Sequence, residues 1–413
     1  MPGTFDFNYK LNQIVQDYTE ASVNLGVVGA AVTISFNAGT FLLATLTSGI
    51  ATTFTMPPAI AGKSFTMLLR QPNASTFGSA TFTNVKWRYS LPPTVTVGSG
   101  ALDIFSFMSD GVNWYGNSVQ SFTSTNQVAD KAIFGYGYTT THVSMTNLVS
   151  NTGVVSTDVT GVGTARYILA AAGYGTDKAI FGYGNNGTSS VVSLTNLVSN
   201  TGVVGTNVTG VGSARQNPAA AGYGVDKAIF GYGYTTVVVS LTNLVSNTGV
   251  VATDVTGVGT ARSSLAAAGY GTDKAIFGYG YDGVAPYKNL TNLVSNTGVA
   301  SADVTGVGTA RSNIAAAGYG TDKAIFGYGN NGSNLSMTNL VSNTGVVSTD
   351  VTGVGTARQF IAAAGYGVDR AIFGYGYIAA ASGLTNLVSN TGVVATDVTG
   401  VGTARFGLAA ASY

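Results

Sequence analysis

Short apolar runs bounded by glycine, asparagine and threonine fill the chain from residue 130 to its end. The runs KAIFGYG, TNLVS, GVVSTDVT and LAAAGYG follow one another in a fixed order. Apolar runs of this length, interrupted by turn residues, predict β-strands, and the dominance of glycine, threonine, valine and serine disfavours helix. The opening motif recurs at Asp130, Asp177, Asp226, Asp273, Asp322 and Asp369, spaced 47 or 49 residues apart. The sequence therefore predicts six copies of one β-rich module.

Each module holds four predicted strands, which is the size of one blade of a β-propeller. The first module has no TAR strand before it, whereas the chain ends on TARFGLAAASY, residues 403–413, with no DKAIFGYG after it. The two partial units add up to one blade. We therefore expect residues 130–413 to form a six-bladed β-propeller closed by the C-terminal strand, since closure removes both exposed edges.

The order of these strands resembles a Kelch-type propeller. An arginine precedes the inner strand in TARxxLAAAGYG, and a glycine pair, here Gly135 and Gly137, ends the second strand in DKAIFGYG. The resemblance implies the same sheet plan for every module.

The first 129 residues contain no copy of the module and predict separate elements. Residues 1–26 form an N-terminal arm, in which Leu11–Tyr18 is the one stretch with helical character. Residues 27–117 hold eight short predicted strands separated by glycine, proline and asparagine, a pattern typical of a β-sandwich or jelly roll. Residues 118–129 are polar and predict a linker.

Part of this region resembles a domain that recurs in bacteriophage tail fibres and other virion appendages. The motifs are FTMPPAIAGKSFTMLLRQP from Phe54, ATFTNVKW from Ala80, TVTVGSGALDIFSFMSDG from Thr94 and NWYG from Asn113. They cover residues 50–117. The resemblance implies a virion structural protein, often a homotrimer, whose N-terminal domain serves attachment to the particle or oligomerisation.

The composition of the chain limits the classes of partner that it can bind. Charged residues make up 8% of the chain and the net charge is +1, so the sequence lacks the basic stripe that nucleic acid requires and a polybasic patch for membranes. The longest apolar run, Leu25 to Ile34, is too short to span a bilayer. The chain has no cysteine, which excludes disulfides and thiolate metal sites. We expect neither nucleic-acid binding nor membrane insertion.

Sequence differences between modules concentrate at two places: the loop after GYG and the pair of residues after TAR. In a four-stranded antiparallel blade both emerge on the same side, so we expect one variable face and one uniform face. Loop drift explains such variation as well as ligand binding does, but aromatic and amide side chains suit stacking and hydrogen bonding to sugars. The candidate glycan-binding residues are Tyr138, His142, Tyr167, Asn185, Asn186, Gln216, Tyr234, Tyr281, Asp282, Tyr287, Asn330, Asn331, Phe360, Tyr377 and Phe406.

Aspartate and arginine also recur in register around the turn TGVG. Asp158 and Arg166 flank this turn, which predicts a hydrogen bond or ion pair that locks the blade. One module has Asn207 in place of the aspartate, which a hydrogen-bonding role tolerates. The predicted structural residues are Asp158, Arg166, Arg215, Asp254, Arg262, Asp303, Arg311, Asp350, Arg358, Asp397 and Arg405.

The inventory for catalysis is small. Glu20 is the only glutamate and His142 the only histidine, so neither a Ser-His-Asp relay nor a histidine-rich metal site can be built. The GxG strings do not open a helix after a strand, which argues against dinucleotide binding. We predict a protein that is not an enzyme and uses no cofactor or metal.

These observations favour a phage virion protein of the tail-fibre or receptor-binding kind. In this hypothesis the N-terminal domain contacts other virion proteins and forms a homo-oligomer, with a trimer favoured, while the propeller loops recognise a host-surface glycan. The main alternative is a capsid decoration or structural appendage without specific receptor binding. A polysaccharide-degrading tailspike is a third hypothesis, disfavoured by the scarcity of carboxylates.

Overall fold

The computed structural model describes residues 22–35, 39–72, 74, 76–87, 91–97, 100–122, 131–187 and 191–413. The chain divides into two compact units, Met1–Asn126 (unit 1) and Gln127–Tyr413 (unit 2). The described residues are all β-strand, turn and coil, with no helix among them. The predicted helical stretch Leu11–Tyr18, the arm as far as residue 21 and linker residues 123–129 lie outside the described residues.

Unit 1 is built from short strands that coil in parallel layers. Strands β1, β3 and β5 stack in parallel in one sheet, and β2, β4 and β6 stack in parallel in a second sheet. Each turn of the coil thus contributes one strand to each sheet. The strands are β1 (Ser22–Val28), β2 (Ala31–Thr33), β3 (Phe41–Leu46), β4 (Ala51–Thr55), β5 (Ser64–Arg70), β6 (Ser79–Phe82), β7 (Val85–Trp87), β8 (Leu102–Ser109) and β9 (Trp114–Phe122).

The core of unit 1 lies between these two sheets. Along β3 every second side chain points inward, and Leu42 and Met67 are aligned on neighbouring coils and fully buried. Phe54 from the second sheet completes the layer. Strand β8 extends the first sheet antiparallel to β5, and β9 follows β8. Trp114 on β9 donates its indole N–H to the Pro57 carbonyl at 2.8 Å, which satisfies the polar end of a buried ring.

The fold class predicted from the sequence is wrong. Unit 1 is a parallel β-solenoid of about three turns and not a β-sandwich or jelly roll. Alternation of apolar and polar residues has the same period in parallel and antiparallel strands, so the pattern could not distinguish them. The strands of unit 1 also reach beyond the predicted bounds of residues 27–117, because β1 begins at Ser22 and β9 ends at Phe122.

The described residues of unit 2 form six three-stranded antiparallel sheets, numbered here sheets 1 to 6. In sheet 1 the inner strand is β27, the last strand of the chain, which pairs with β10. The inner strands β12, β15, β18, β21, β24 and β27 contact one another in succession, and β27 also contacts β12, so the sheets form a closed cycle that we call the ring. The sheets are β27 (Ala409–Ser412), β10 (Ala132–Tyr138) and β11 (His142–Val149); β12 (Ala170–Tyr174), β13 (Lys178–Gly182) and β14 (Thr195–Val198); β15 (Ala219–Tyr223), β16 (Lys227–Gly231) and β17 (Thr242–Val245); β18 (Ala266–Tyr270), β19 (Lys274–Gly278) and β20 (Thr291–Val294); β21 (Ala315–Tyr319), β22 (Lys323–Asn330) and β23 (Asn334–Val341); and β24 (Ala362–Tyr366), β25 (Arg370–Gly374) and β26 (Thr385–Val388).

The four-stranded blades of the predicted six-bladed propeller are therefore not formed. The segment expected as the fourth strand touches the third strand only at single residue pairs, such as Thr146 with Val159 and Val149 with Val155. Between those pairs the Asn147 side chain donates to the Ser156 carbonyl at 3.0 Å, an acceptor that a continuous ladder would use. The same asparagine contact recurs in every module, so all six outer segments are irregular.

Neighbouring sheets interlock through aromatic pairs. Tyr136 of sheet 1 packs edge-to-face on Phe181 of sheet 2 at 5.1 Å, and Tyr375 of sheet 6 packs on Phe134 of sheet 1 at 5.2 Å. A methyl group at Gly182 would lie 2.7 Å from the Phe230 ring, so glycine is required where the next phenylalanine enters. The tyrosine of GYG thus supplies an aromatic side chain to one interface between sheets, and the first glycine of GYG leaves the space that the phenylalanine of the next sheet fills.

Candidate functional site

The two kinds of variable position lie side by side in every sheet, where the residue after GYG of one module meets the residue after TAR of the module before it in the cycle. The first residue after TAR pairs with the residue after GYG through backbone contacts in all six sheets. In sheet 1, for example, Tyr138 N donates to the Phe406 carbonyl at 2.9 Å. The pairs are Tyr138–Phe406, Tyr167–Asn185, Gln216–Tyr234, Ser263–Tyr281, Ser312–Asn330 and Gln359–Tyr377. We call the surface that these pairs form the variable face.

The second residue after TAR builds a hydrogen-bonded circle at the centre of this face. Ile168 N donates to the Gly407 carbonyl at 2.6 Å, Asn217 N donates to the Ile168 carbonyl at 2.8 Å, and the pattern continues through Ser264, Asn313 and Phe360 back to Gly407. All six residues have positive φ, between 47° and 63°, an uncommon conformation for residues other than glycine. Because the circle uses the N–H and carbonyl of each residue, the centre of the variable face is occupied by paired backbone.

Six candidate residues form one contiguous aromatic cluster beside this centre, which we call the aromatic arc. Phe406 contacts Tyr377 at 5.1 Å, Tyr138 at 5.4 Å and Phe360 at 6.0 Å between ring centroids. Tyr138 in turn contacts His142 at 5.2 Å and Tyr167 at 5.6 Å, and His142 contacts Tyr167 at 5.0 Å. All six side chains are half-buried. The arc crosses the place where the chain closes on itself.

The remaining candidates form polar groups. Asn185 donates to Gln216 at 2.8 Å, joining two neighbouring sheets. Tyr281 and Tyr287 pack together at 5.7 Å, beside an ion pair between Asp282 and Lys288 at 3.1 Å.

Other candidates stand outside these groups. Tyr234 is 38% exposed, Asn331 is exposed, and Asn186 is half-buried. Asn330 pairs with Ser312 through its backbone, and its side-chain oxygen accepts from Gly332 N at 2.9 Å. The structure therefore unites six of the candidates in the aromatic arc, while the others form separate pairs or stand alone.

The repeated arginines are the most buried charged groups of the ring. Arg405 is 0% exposed, and its guanidinium donates to the Tyr136 carbonyl at 2.9 Å, the Thr403 carbonyl at 3.1 Å and Asn147 Oδ1 at 2.6 Å. It also lies 4.3 Å above the ring of Tyr375, which belongs to the preceding sheet. Arg166, Arg311 and Arg358 make the equivalent bond to a tyrosine carbonyl, whereas among the described residues the buried Nε atoms of Arg215 and Arg262 have no hydrogen-bond partner. All six arginines bond an asparagine of their own sheet and lie over a tyrosine ring of the neighbouring sheet.

The aspartates pair with different arginines from those that the sequence predicts. Asp158 lies 3.8 Å from Arg405 and not opposite Arg166, because the TAR strand of one module becomes the inner strand of the next sheet. The other pairs are Arg215–Asp254, Arg262–Asp303, Arg311–Asp350 and Arg358–Asp397, at 3.3 to 3.9 Å. Arg166 faces Asn207 in the remaining sheet, where Thr164 N donates to Asn207 Oδ1 at 3.1 Å.

Hydrogen bonds decide the ionisation of these aspartates. Partial burial acts to raise the pKa of Asp158, but donors from Thr403 and Asn147 together outweigh it and hold the pKa below its ordinary value of 3.8. The same balance lowers the pKa of Asp254, Asp303, Asp350 and Asp397. Burial also lowers the pKa of the arginines and raises the pKa of the tyrosines beneath them, to about 12 at Tyr279.

Sequence reasoning missed two residues of this network. Asn147 connects Arg405 to Asp158 through one hydrogen bond to each, at 2.6 and 2.9 Å, and it is fully buried. The ring of Tyr136 lies under the guanidinium of Arg166 at 4.3 Å, and its hydroxyl donates to the Val162 carbonyl at 3.1 Å. The available signal was the presence of both residues in all six modules.

Within the described part of the chain, no group of three or more histidine, aspartate or glutamate side chains could hold a metal ion. None of the described elements is a helix long and apolar enough to cross a membrane. Neither a protein-family model nor a curated protein matches the sequence. The arguments for function therefore rest on the geometry of the ring and of unit 1.

Proposed function

We propose that this chain is a phage virion structural protein of the tail-fibre or receptor-binding type, and that its variable face binds a host-surface glycan. The observation that carries the proposal is the contrast between scaffold and surface. Buried arginines, asparagines and tyrosines recur at equivalent positions of all six sheets, while the adjoining pairs after TAR and GYG on one face take five different combinations of residues. Varied side chains on a uniform scaffold are typical of a recognition surface.

The chemistry of the face supports a neutral polar ligand. Its candidates are mainly aromatic and amide side chains, which stack on sugar rings and hydrogen-bond to hydroxyl groups. The candidate Asp282 is paired with Lys288 of the same loop at 3.1 Å. Binding should therefore depend little on ionic strength, in contrast to recognition by unpaired charges.

Unit 1 supports a role in assembly. Leu43, Leu68, Ile104 and Val119 are aligned across four neighbouring strands on the outer side of the larger sheet, where they are half-buried or exposed. The outer side of a sheet that faces water is usually polar. A β-solenoid fold is also common in tail fibres. We propose that this surface contacts other virion proteins or further copies of the chain, with a trimer favoured.

Competition for adsorption tests the proposal. The purified full-length chain is added to host cells before the virus, and the rate of virus adsorption is measured. We expect the rate to fall in proportion to the cell-bound chain. Adsorption at the unperturbed rate, with folded chain and no chain on the cells, would contradict a receptor-binding role.

The second candidate function is that of a capsid decoration protein. It is favoured by the surface of the ring at the strand ends away from the variable face. There Val346 is 66% exposed, and its five equivalents are exposed to the same extent. A groove of about 580 Å³ beside it is lined by Leu340, Lys323 and Asn390. Identical exposed residues in every sheet suit a structural neighbour. Saturable binding of the chain to particles that lack it, without binding to host cells, would favour decoration.

A further inference from the structure

The aromatic arc differs from the rest of the variable face in a way that points to a single ligand subsite. We propose that the arc, formed by Tyr138, His142, Tyr167, Phe360, Tyr377 and Phe406, is the site that stacks on uncharged pyranose units of the glycan. Each chain then has one such site in its cycle of six sheets, and not six. This inference rests on the proposed glycan-binding function and assigns it to three consecutive sheets.

The first argument is the uniqueness of the pair at the centre of the arc. Each sheet brings one residue after TAR against one residue after GYG, and only in sheet 1 are both aromatic, as Tyr138 and Phe406. In the other five pairs at least one member is an amide or a serine. The sixfold scaffold therefore carries an aromatic surface at one position of the cycle.

The second argument is the polarity of the rings. Among the described residues, the hydroxyl groups of Tyr138, Tyr167 and Tyr377 form no hydrogen bond, whereas the fully buried Tyr136 donates to Val162 at 3.1 Å. A half-buried tyrosine with an unused hydroxyl offers both an apolar face and a polar edge. Sugar rings require this combination, because their C–H faces stack and their hydroxyl groups form hydrogen bonds.

The third argument separates packing from recognition within the arc. Phe406 contacts three other aromatic rings and pairs through its backbone with Tyr138, so it holds the arc together. Tyr167 contacts only Tyr138 and His142 among the rings of the arc, and it lies at the edge. Because phenylalanine has no polar group for sugar hydroxyl groups, we assign ligand contact to the three tyrosines and His142, and a positioning role to Phe406 and Phe360.

The fourth argument concerns charge. The arc contains no aspartate, glutamate, lysine or arginine. The charged residues Asp282 and Lys288 lie in a loop outside the three sheets of the arc, where they pair with each other. A surface without charge does not compensate the desolvation of a carboxylate or sulfate. The preferred ligand is therefore a neutral hexose unit.

The test uses the full-length chain and polysaccharide extracted from host cells, immobilised on a biosensor. The arc variant carries Tyr138→Ala, Tyr167→Ala and Tyr377→Ala. The control carries Val154→Ala, Val203→Ala and Val250→Ala, which shortens three exposed apolar side chains of the ring away from the variable face. We expect at least a tenfold loss of affinity for the arc variant and less than a twofold change for the control. Free D-glucose and D-galactose should inhibit the binding of the wild-type chain to the polysaccharide more strongly than D-glucuronate does.

Three results would contradict the inference, and they differ in what they leave intact. Wild-type chain that does not bind the polysaccharide overturns the proposed function together with the subsite. Wild-type binding that the arc variant retains, or that the control alone loses, overturns the subsite but leaves glycan binding standing. If the triple variant does not fold, Tyr167→Ala alone decides, because Tyr167 lies at the edge of the arc, and unchanged affinity of that variant contradicts the inference.

Discussion

At the scale of single residues, the ring depends on buried arginine charges that are paired through their terminal guanidinium nitrogens. Arg262 is 0% exposed, and it reaches Asp303 at 3.3 Å and Asn292 at 2.6 Å. Removing one partner from such a group costs more than the pair contributes, because the remaining charge stays buried. The sheet with Asn207 shows that the carboxylate itself is replaceable, provided that the hydrogen-bond acceptor remains.

Substitutions of Asp303 should separate the acceptor from the charge. Asp303 accepts from Thr260 Oγ1 at 2.6 Å and from Asn292 Nδ2 at 2.9 Å, and both donors lose a partner in Asp303→Ala. We expect Asp303→Ala to lower the free energy of unfolding by about 2–3 kcal/mol and Asp303→Asn by about 1 kcal/mol. Chemical denaturation followed by near-UV circular dichroism of the tyrosines measures this change.

The control is the reverse change in the sheet that lacks the carboxylate. Asn207→Asp places a charged acceptor opposite Arg166, and we expect it to raise stability by about 1 kcal/mol. Equal losses for Asp303→Ala and Asp303→Asn would show that the charge, and not the acceptor, holds the sheet.

The lowered pKa values of these aspartates predict acid sensitivity. A carboxylate with a pKa below 3.8 in the folded chain stabilises that chain above the ordinary pKa, and the stabilisation is lost as pH falls through the folded value. We expect the melting temperature of the ring to be nearly constant from pH 7 to about 5 and to fall below about pH 4. Thermal melts across this range measure it, and Asp303→Asn should show a shallower decline. A melting temperature that rises below pH 4 would contradict the sign.

At the scale of elements, the closing strand β27 is the inner strand that joins the end of the chain to the first module. It pairs with β10 at four residue positions, and Ala411 and Tyr413 are buried. In the other sheets a glycine lies nearest the neighbouring inner strand, but here Ser412 takes that place and donates to the Gly365 carbonyl at 2.8 Å. The closure therefore uses the same geometry as the rest of the cycle, with one added hydrogen bond.

Removing residues 407–413 should open the ring. The truncation exposes one edge of β10 and interrupts the circle of backbone hydrogen bonds at Gly407. We expect the melting temperature of the ring to fall by about 10 °C or more, with aggregation through the exposed edge.

Tyrosine circular dichroism and light scattering follow this change, while fluorescence of Trp87 and Trp114, both in unit 1, should stay unchanged. The matched control Ser412→Gly restores the residue of the other inner strands and should cost no more than about 1 kcal/mol. A truncated chain that melts like the wild type would show that the closing strand is dispensable.

At the scale of the whole molecule, two units of different architecture are joined in one chain. Unit 1 stacks parallel coils around a single core, and unit 2 distributes its core over six equivalent clusters between sheets. The varied surface belongs to unit 2, and the apolar outer row belongs to unit 1. This division suits a protein that assembles through one unit and recognises a ligand with the other.

The outer row of unit 1 predicts self-association. Ile104→Glu places a charge in the middle of the row between Leu68 and Val119. We expect the wild-type chain to sediment as an oligomer and the variant to sediment as a monomer with the same melting temperature, because Ile104 lies outside the buried core. Val154→Glu, at an exposed position of the ring, is the control and should leave the oligomer intact. A monomeric wild-type chain at micromolar concentration would contradict the prediction.

The sequence by itself determined the features that repeat or that depend on neighbouring residues. Glycine, asparagine and threonine at fixed intervals specified β-strands and turns, the period of 47 or 49 residues specified six modules, and the variation after GYG and TAR marked the variable face. Only the tertiary structure decided that the first coils run parallel, since Leu42 and Met67 meet without any local signal of strand direction. The same holds for the pairing of Asp158 with Arg405, which are distant in sequence, and for the meeting of Phe360, Phe406 and Tyr138 in one arc. Such contacts depend on how the chain returns to itself, which no local pattern of residues encodes.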